Sequence, residues 1–88
     1  MMPGNSLKIA LLGKPECHLC EDAEIVVQKV CAHLSLPWEK VNIEDHPDLY
    51  DRYKEELPVL LADGRELFKY RTNEPDLMKS LSRRLSSR

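Results

Sequence analysis

The stretch Leu7-Lys8-Ile9-Ala10-Leu11-Leu12 is a short apolar run closed by Gly13 and Pro15. Its length and flanks predict a buried strand. From Cys20 onward the apolar residues fall at Ala23, Val26, Val27, Val30 and Leu34. Those steps of three and four draw one stripe along a helix. Gln28, Lys29 and His33 then face water, and Pro37 marks the stop because proline cannot continue the hydrogen-bond ladder. Trp38 to Ile43 alternates with a period of two and predicts a second strand.

Asp45-His46-Pro47 resembles a helix start with proline in its first turn, and Leu49, Tyr50 and Tyr53 give that short helix an apolar face. Pro58-Val59-Leu60-Leu61-Ala62 predicts a third strand, with proline at the first residue, where a strand tolerates it. Asp63-Gly64 is a two-residue hairpin signal, and Arg65 to Tyr70 is the returning strand. Leu67 and Phe68 stand side by side in it, which a sheet covered on both faces accommodates. Asn73-Glu74-Pro75-Asp76 opens a last helix, buried along Leu77, Met78, Leu81 and Leu85. The order is βαβαββα. The first two strands are expected to be parallel through a right-handed crossover, the last two antiparallel.

With 88 residues the chain is one domain, expected over residues 7–88, with 1–6 as a loose tail. A formal charge of −2 gives no basic footprint for nucleic acid. No stretch approaches the roughly 20 apolar residues of a membrane span. Residues 1–12 carry neither the charged start nor the apolar run of a secretory signal. A cytoplasmic protein with no nucleic-acid or membrane partner is therefore expected. In that compartment three cysteines do not read as a structural disulfide framework, and a C-x-x-C is redox-active or metal-binding.

Cys17 and Cys20 are that pair. They read as a redox couple, half of a zinc site, or two small core residues. Three apart at the start of a helix, they share one face. Cys17 falls at the amino end, where unpaired N–H groups and the helix dipole favour a thiolate. In such motifs the thiol pKa falls from about 8.5 to between about 3.5 and 7.5. Lys14, and His18 when protonated, favour the thiolate; Glu16, Glu21 and Asp22 oppose it. Cys20, one turn deeper, is placed to resolve a mixed disulfide. A zinc site would need Cys31 and His33 as well. Cys31 lies roughly 16 Å along the axis from Cys20, and His33 points to another side, so one helix cannot gather all four. No metal is expected, and Cys31 reads as a small hydrophobe at the helix margin.

Lys14-Pro15-Glu16-Cys17-His18-Leu19-Cys20 resembles the glutaredoxin active-site stretch, in which a lysine precedes C-P-Y-C. The chain looks most like the small, divergent bacterial glutaredoxin-like proteins. The resemblance implies a thioredoxin-like α/β fold: a four-stranded mixed sheet of order 2-1-3-4 with helices on both faces. It implies a cis bond at Leu57-Pro58, opposite the cysteines. It also implies Cys17 as nucleophile and Cys20 as resolving thiol. Lys14, His18, Leu57 and Pro58 would bind substrate, with the Leu57 backbone pairing with an extended peptide or with glutathione. His18-Leu19 replaces the usual Pro-Tyr, and Glu56-Leu57 replaces Thr-Val. Tyr70-Arg71-Thr72-Asn73-Glu74 stands where a Gly-Gly and an acid usually clasp glutathione. The expected activity is dithiol reduction of disulfide-containing or glutathionylated proteins by a monomer. No bound cofactor is expected, and glutathione is one candidate for the reducing co-substrate. The alternative is a non-catalytic binding or redox-sensing module on the same fold.

Overall fold

The computed structural model describes residues 7–86. The tail read over residues 1–6 lies outside the described residues. Strands β1 (Ile9–Gly13), β2 (Trp38–Asn42), β3 (Val59–Ala62) and β4 (Arg65–Lys69) form one sheet in the order β2-β1-β3-β4. β1 pairs parallel with β2 and antiparallel with β3, and β4 runs antiparallel to β3. Helices α1 (His18–His33), α2 (Pro47–Tyr53) and α3 (Glu74–Ser86) complete the βαβαββα order.

Alternation along the two central strands feeds two cores. Ile9 and Leu11 of β1, with Leu60 and Ala62 of β3, pack against Ala23, Val27 and Val30 of α1 and Leu77 and Leu81 of α3. Leu12 and Val59 point the other way and pack with Ile43, Tyr53 of α2, Leu57 and Cys20. The sheet is therefore covered on both faces. Cys20 lies in the α2-side cluster although it belongs to α1, whose amino end follows closely on the end of β1.

Several local features depart from the sequence expectation, each for a physical reason. α1 stops at His33, four residues before Pro37. Ser35 takes a left-handed conformation (φ 57°) and its N–H bonds back to Ala32, ending the helix. β2 ends at Asn42, whose Oδ1 accepts from the Glu44 N–H and starts a single 3-10 turn, Ile43–Asp45. β3 begins at Val59, just after Pro58. The adjacent Leu67 and Phe68 reflect a β-bulge: Leu60 pairs with Phe68 but Leu61 with Glu66, leaving Leu67 as the extra residue. Cys31 is fully buried in the core and not at the helix margin.

The Asp63-Gly64 hairpin has positive φ at both residues (52° and 83°), as the right-handed twist of paired strands favours. Asp63 Oδ1 accepts from the Lys8 N–H at 2.9 Å, tying the hairpin to the start of β1. At α3, Asn73 Oδ1 accepts from the Asp76 N–H at 2.9 Å, the cap its sequence promised.

Candidate active site

The site is built where β1 hands over to α1. Gly13 closes β1, and Lys14, Pro15 and Glu16 carry the chain to the helix. Glu16 turns in the left-handed region (φ 60°), a conformation that costs a non-glycine residue energy. The following residue, Cys17, is extended (φ −115°, ψ 107°) and is the N-cap of α1. Its Sγ accepts a hydrogen bond from the Cys20 N–H at 3.2 Å, taking the place of a Ser or Asp oxygen at that position.

Cys17 and Cys20 are joined as a disulfide with their Cα atoms 5.2 Å apart. The two sulfurs differ in exposure. Cys17 is half-buried, whereas Cys20 keeps only 7% of its surface. Gly13 explains how Cys20 fits. A Cβ at position 13 would stand 3.3 Å from both Cβ and Sγ of Cys20, so a strand residue with any side chain crowds the inner sulfur. In the sequence Gly13 reads only as a strand terminator. Its place four residues before Cys17, at the end of the strand that feeds the motif, was the available signal.

Leu57 and Pro58 lie in the loop before β3, and their peptide bond is cis. Both are buried, and Leu57 packs in one cluster with Cys20, Tyr53 and Val59, with Cys17 against it. The structure thus brings Leu57 and the cysteine pair together. The Pro58 carbonyl accepts from the Tyr70 N–H at 2.9 Å, where Tyr70 leaves β4 in a left-handed turn (φ 68°). Beside this segment the Lys69 ammonium reaches Glu56 at 3.2 Å and Glu66 at 3.7 Å. The hydrogen bond and charge of Glu56, then the charge of Glu66, hold that ammonium above its ordinary pKa. Tyr53, under Leu57, has its phenol pushed up mainly by burial.

Lys14 is exposed on the approach to Cys17. The His18 side chain is 98% exposed and faces Glu21 at 3.9 Å, one helical turn on. It points to solvent and not to the disulfide. Among the described residues no group of three or more His, Cys, Asp or Glu is gathered in a metal-binding arrangement. No helix among them is long and apolar enough to cross a membrane.

Residues 8–82 match the family model described as "Glutaredoxin-like domain (DUF836)". The chain belongs to this glutaredoxin-like family. Among solved structures, the glutaredoxin-like domain is similar to protein XcR50 from X. campestris, with 28% identity over 85% of this chain and 96% of that one and a TM-score of 0.73. It is similar to Ne2328 from Nitrosomonas europaea at 25% identity, covering 85% of this chain and 91% of that one, with a TM-score of 0.71. A thioredoxin-2 of the malaria parasite shares the fold at 16% identity over 90% of this chain and 84% of that one, with a TM-score of 0.69. The fold is thioredoxin-like, and the Cys17–Cys20 pair of this glutaredoxin-like domain stands within disulfide reach.

Proposed function

We propose that this glutaredoxin-like domain is a cytoplasmic, monomeric thiol–disulfide oxidoreductase acting on disulfide-containing or glutathionylated proteins. The reading rests on one asymmetry: the half-buried Cys17 sulfur is held by a helix N-terminal N–H, with the buried Cys20 sulfur directly behind it. The N–H groups and dipole at the start of α1 stabilise negative charge on Cys17 in the reduced protein. The Cys17 thiolate attacks one sulfur of the substrate disulfide. A Cys17–substrate bond forms, and the displaced thiolate leaves with the electron pair and takes up a proton. Cys20, as thiolate, then attacks the Cys17 sulfur. The substrate leaves as its second thiolate, and the Cys17–Cys20 bond closes. Two electrons have passed from the dithiol to the substrate. Two equivalents of a thiol reductant, for which glutathione is the candidate, return them.

Lys14 and His18 flank the cysteines in sequence and supply positive charge near them, His18 only when protonated. The backbone of Leu57, held by the buried Leu57 side chain and Pro58 ring, offers an edge to an extended peptide.

The test is turnover of a glutathionylated peptide by the wild-type chain, Cys17→Ser and Cys20→Ser, with adducts read by mass. Wild type turns over, Cys17→Ser does not, and Cys20→Ser accumulates the mixed disulfide. Full dithiol activity in Cys17→Ser sinks the role assignment. A wild-type chain that binds the peptide without reducing it would instead be a binding or sensing module.

A further inference from the structure

The segment that leads into β3 is tied onto β4 on both sides of Leu57. Before it, the Glu56 carboxylate lies 3.2 Å from the Lys69 ammonium. After it, the Pro58 carbonyl accepts from the Tyr70 N–H at 2.9 Å, and Val59 stands opposite Lys69 in the β3–β4 ladder. The Glu56 N–H also donates to the Tyr53 carbonyl at 2.8 Å, joining the segment to the end of α2. The Leu57 side chain is buried in the cluster of Cys20 and Tyr53. Among the described residues its own N–H and C=O make no hydrogen bond. Backbone groups need partners, so this open pair goes to water or to another chain.

The bulge at Leu67 builds the Glu56 tie. Residues three apart in a regular strand point to opposite faces. Because Leu67 is an extra residue, Glu66 and Lys69 come opposite Leu61 and Val59, which are two apart and share a face. Lys69 therefore stands between two carboxylates, Glu56 at 3.2 Å and Glu66 at 3.7 Å. The three side chains are between 34% and 38% exposed. Ion pairs this open add little to folding stability. What the two carboxylates supply is a fixed place for one long, flexible side chain. Lys69 in turn fixes Glu56, the residue next to Leu57.

We propose that Lys69, held by Glu66 on the bulged strand, is a positioning residue that clamps Glu56 and so sets the direction of the Leu57 N–H and C=O toward an extended peptide substrate. This deepens the oxidoreductase reading and rests on it. The clamp takes no part in the sulfur chemistry. It acts on a substrate only through the backbone with which that substrate pairs. A peptide disulfide gains from an aligned Leu57 edge, because hydrogen bonds weaken steeply with misalignment. A small disulfide without a peptide backbone has nothing to pair and is indifferent to the clamp. The role is selectivity for peptide over small-molecule disulfides.

Two substrates with one leaving group test this. One is dithiobis(nitrobenzoate). The other is a short unstructured peptide whose single cysteine carries thionitrobenzoate as a mixed disulfide. In each, Cys17 bonds to the partner sulfur, and thionitrobenzoate, the coloured and better leaving group, departs with the electron pair. Reduced protein is mixed with each substrate near neutral pH, and the rate constant of the first release is measured. The ratio of the peptide to the small-disulfide constant falls about fivefold in Lys69→Met, the order of effect of one lost backbone hydrogen bond. Glu56→Gln lowers it likewise. The double variant falls no further than either single one, because the two residues act as a pair. Lys79→Met, which removes the same charge from an exposed α3 position outside the clamp, leaves the ratio as in wild type. An unchanged ratio in Lys69→Met overturns the assignment. So do equal slowing of both substrates, single effects that multiply in the double variant, or an equal fall in Lys79→Met. A wild type that releases colour from neither substrate defeats the oxidoreductase reading instead.

Discussion

Cys17 Sγ accepts a hydrogen bond at 3.2 Å from the backbone N–H of Cys20, so the second cysteine's amide holds the first cysteine's sulfur. The same bond makes Cys17 the N-cap of α1. Capping normally falls to a Ser, Thr, Asp or Asn oxygen. A neutral thiol is a weak acceptor, whereas a thiolate is a strong one. The helix end therefore favours the reactive form of this residue.

Reactivity should follow that order. In the fully reduced protein near neutral pH, iodoacetamide is expected to modify Cys17 at least about tenfold faster than Cys20, the ratio that one pKa unit of preferential ionisation gives. Cys31, fully buried, reacts last. Peptide masses after timed quenching give the three rates. Equal rates at Cys17 and Cys20 would remove the case for a charged, outward first sulfur.

Gly13 makes a second prediction. A methyl at this position stands 3.3 Å from Cys20 Cβ and Sγ. In the oxidised protein Cys20 is tethered to Cys17 and cannot swing clear. Gly13→Ala should then destabilise the oxidised form by about 1–2 kcal/mol, the cost of overpacking a filled core. In the reduced form Cys20 is free to rotate, so the loss is smaller. Urea denaturation in both redox states measures the difference. Equal losses would show that the tether is not what resists the methyl group.

The parts of this molecule that were legible in the sequence are those encoded by period and punctuation. The Val27–Val30 stripe, the apolar runs of β1 and β3, the Asp63-Gly64 turn and the Asn73 cap each act over a few residues, and the structure has them where the pattern put them. The end of α1 is not legible in the sequence because Ser35 adopts a left-handed backbone that no residue preference announces, before Pro37 is reached. The Leu67 bulge was hidden for a related reason: a sheet covered on both faces and a bulged strand each place two apolar residues side by side. At the site, the cysteines were visible because their chemistry depends on spacing along one helix. The Gly13 clearance was not, since it depends on how closely β1 approaches α1. The His18 ring turns toward Glu21, an orientation that adjacency to the cysteines does not specify.

Leu57 links the loop before β3 to the core. Its side chain is 7% exposed and shares a cluster with Cys20, Tyr53 and Val59. Leu57→Ala should cost about 2–4 kcal/mol, because both the lost transfer energy and the cavity left behind count against the fold. The urea midpoint reads this directly. A loss below about 1 kcal/mol would mean that the neighbouring side chains close over the space, and that the loop does not depend on this anchor.

Cys31 supplies a pH dependence that the disulfide pair, being oxidised, does not. Burial pushes its thiol above the ordinary value of 9.0. In the unfolded chain the thiol ionises at its ordinary value, while in the folded chain it keeps its proton to higher pH. Between the two values the unfolded state binds fewer protons, so folding stability falls as pH rises. Below the ordinary value both states are protonated and the contribution is flat. The slope for one such group approaches about 1.4 kcal/mol per pH unit within that window. Urea denaturation of the oxidised wild type and Cys31→Ala at several pH values from neutral to above 9.0 isolates it, because other titrating groups cancel in the difference. Wild type should lose stability more steeply than Cys31→Ala only above that value. Parallel declines would show that the Cys31 thiol is as readily ionised inside the fold as outside it.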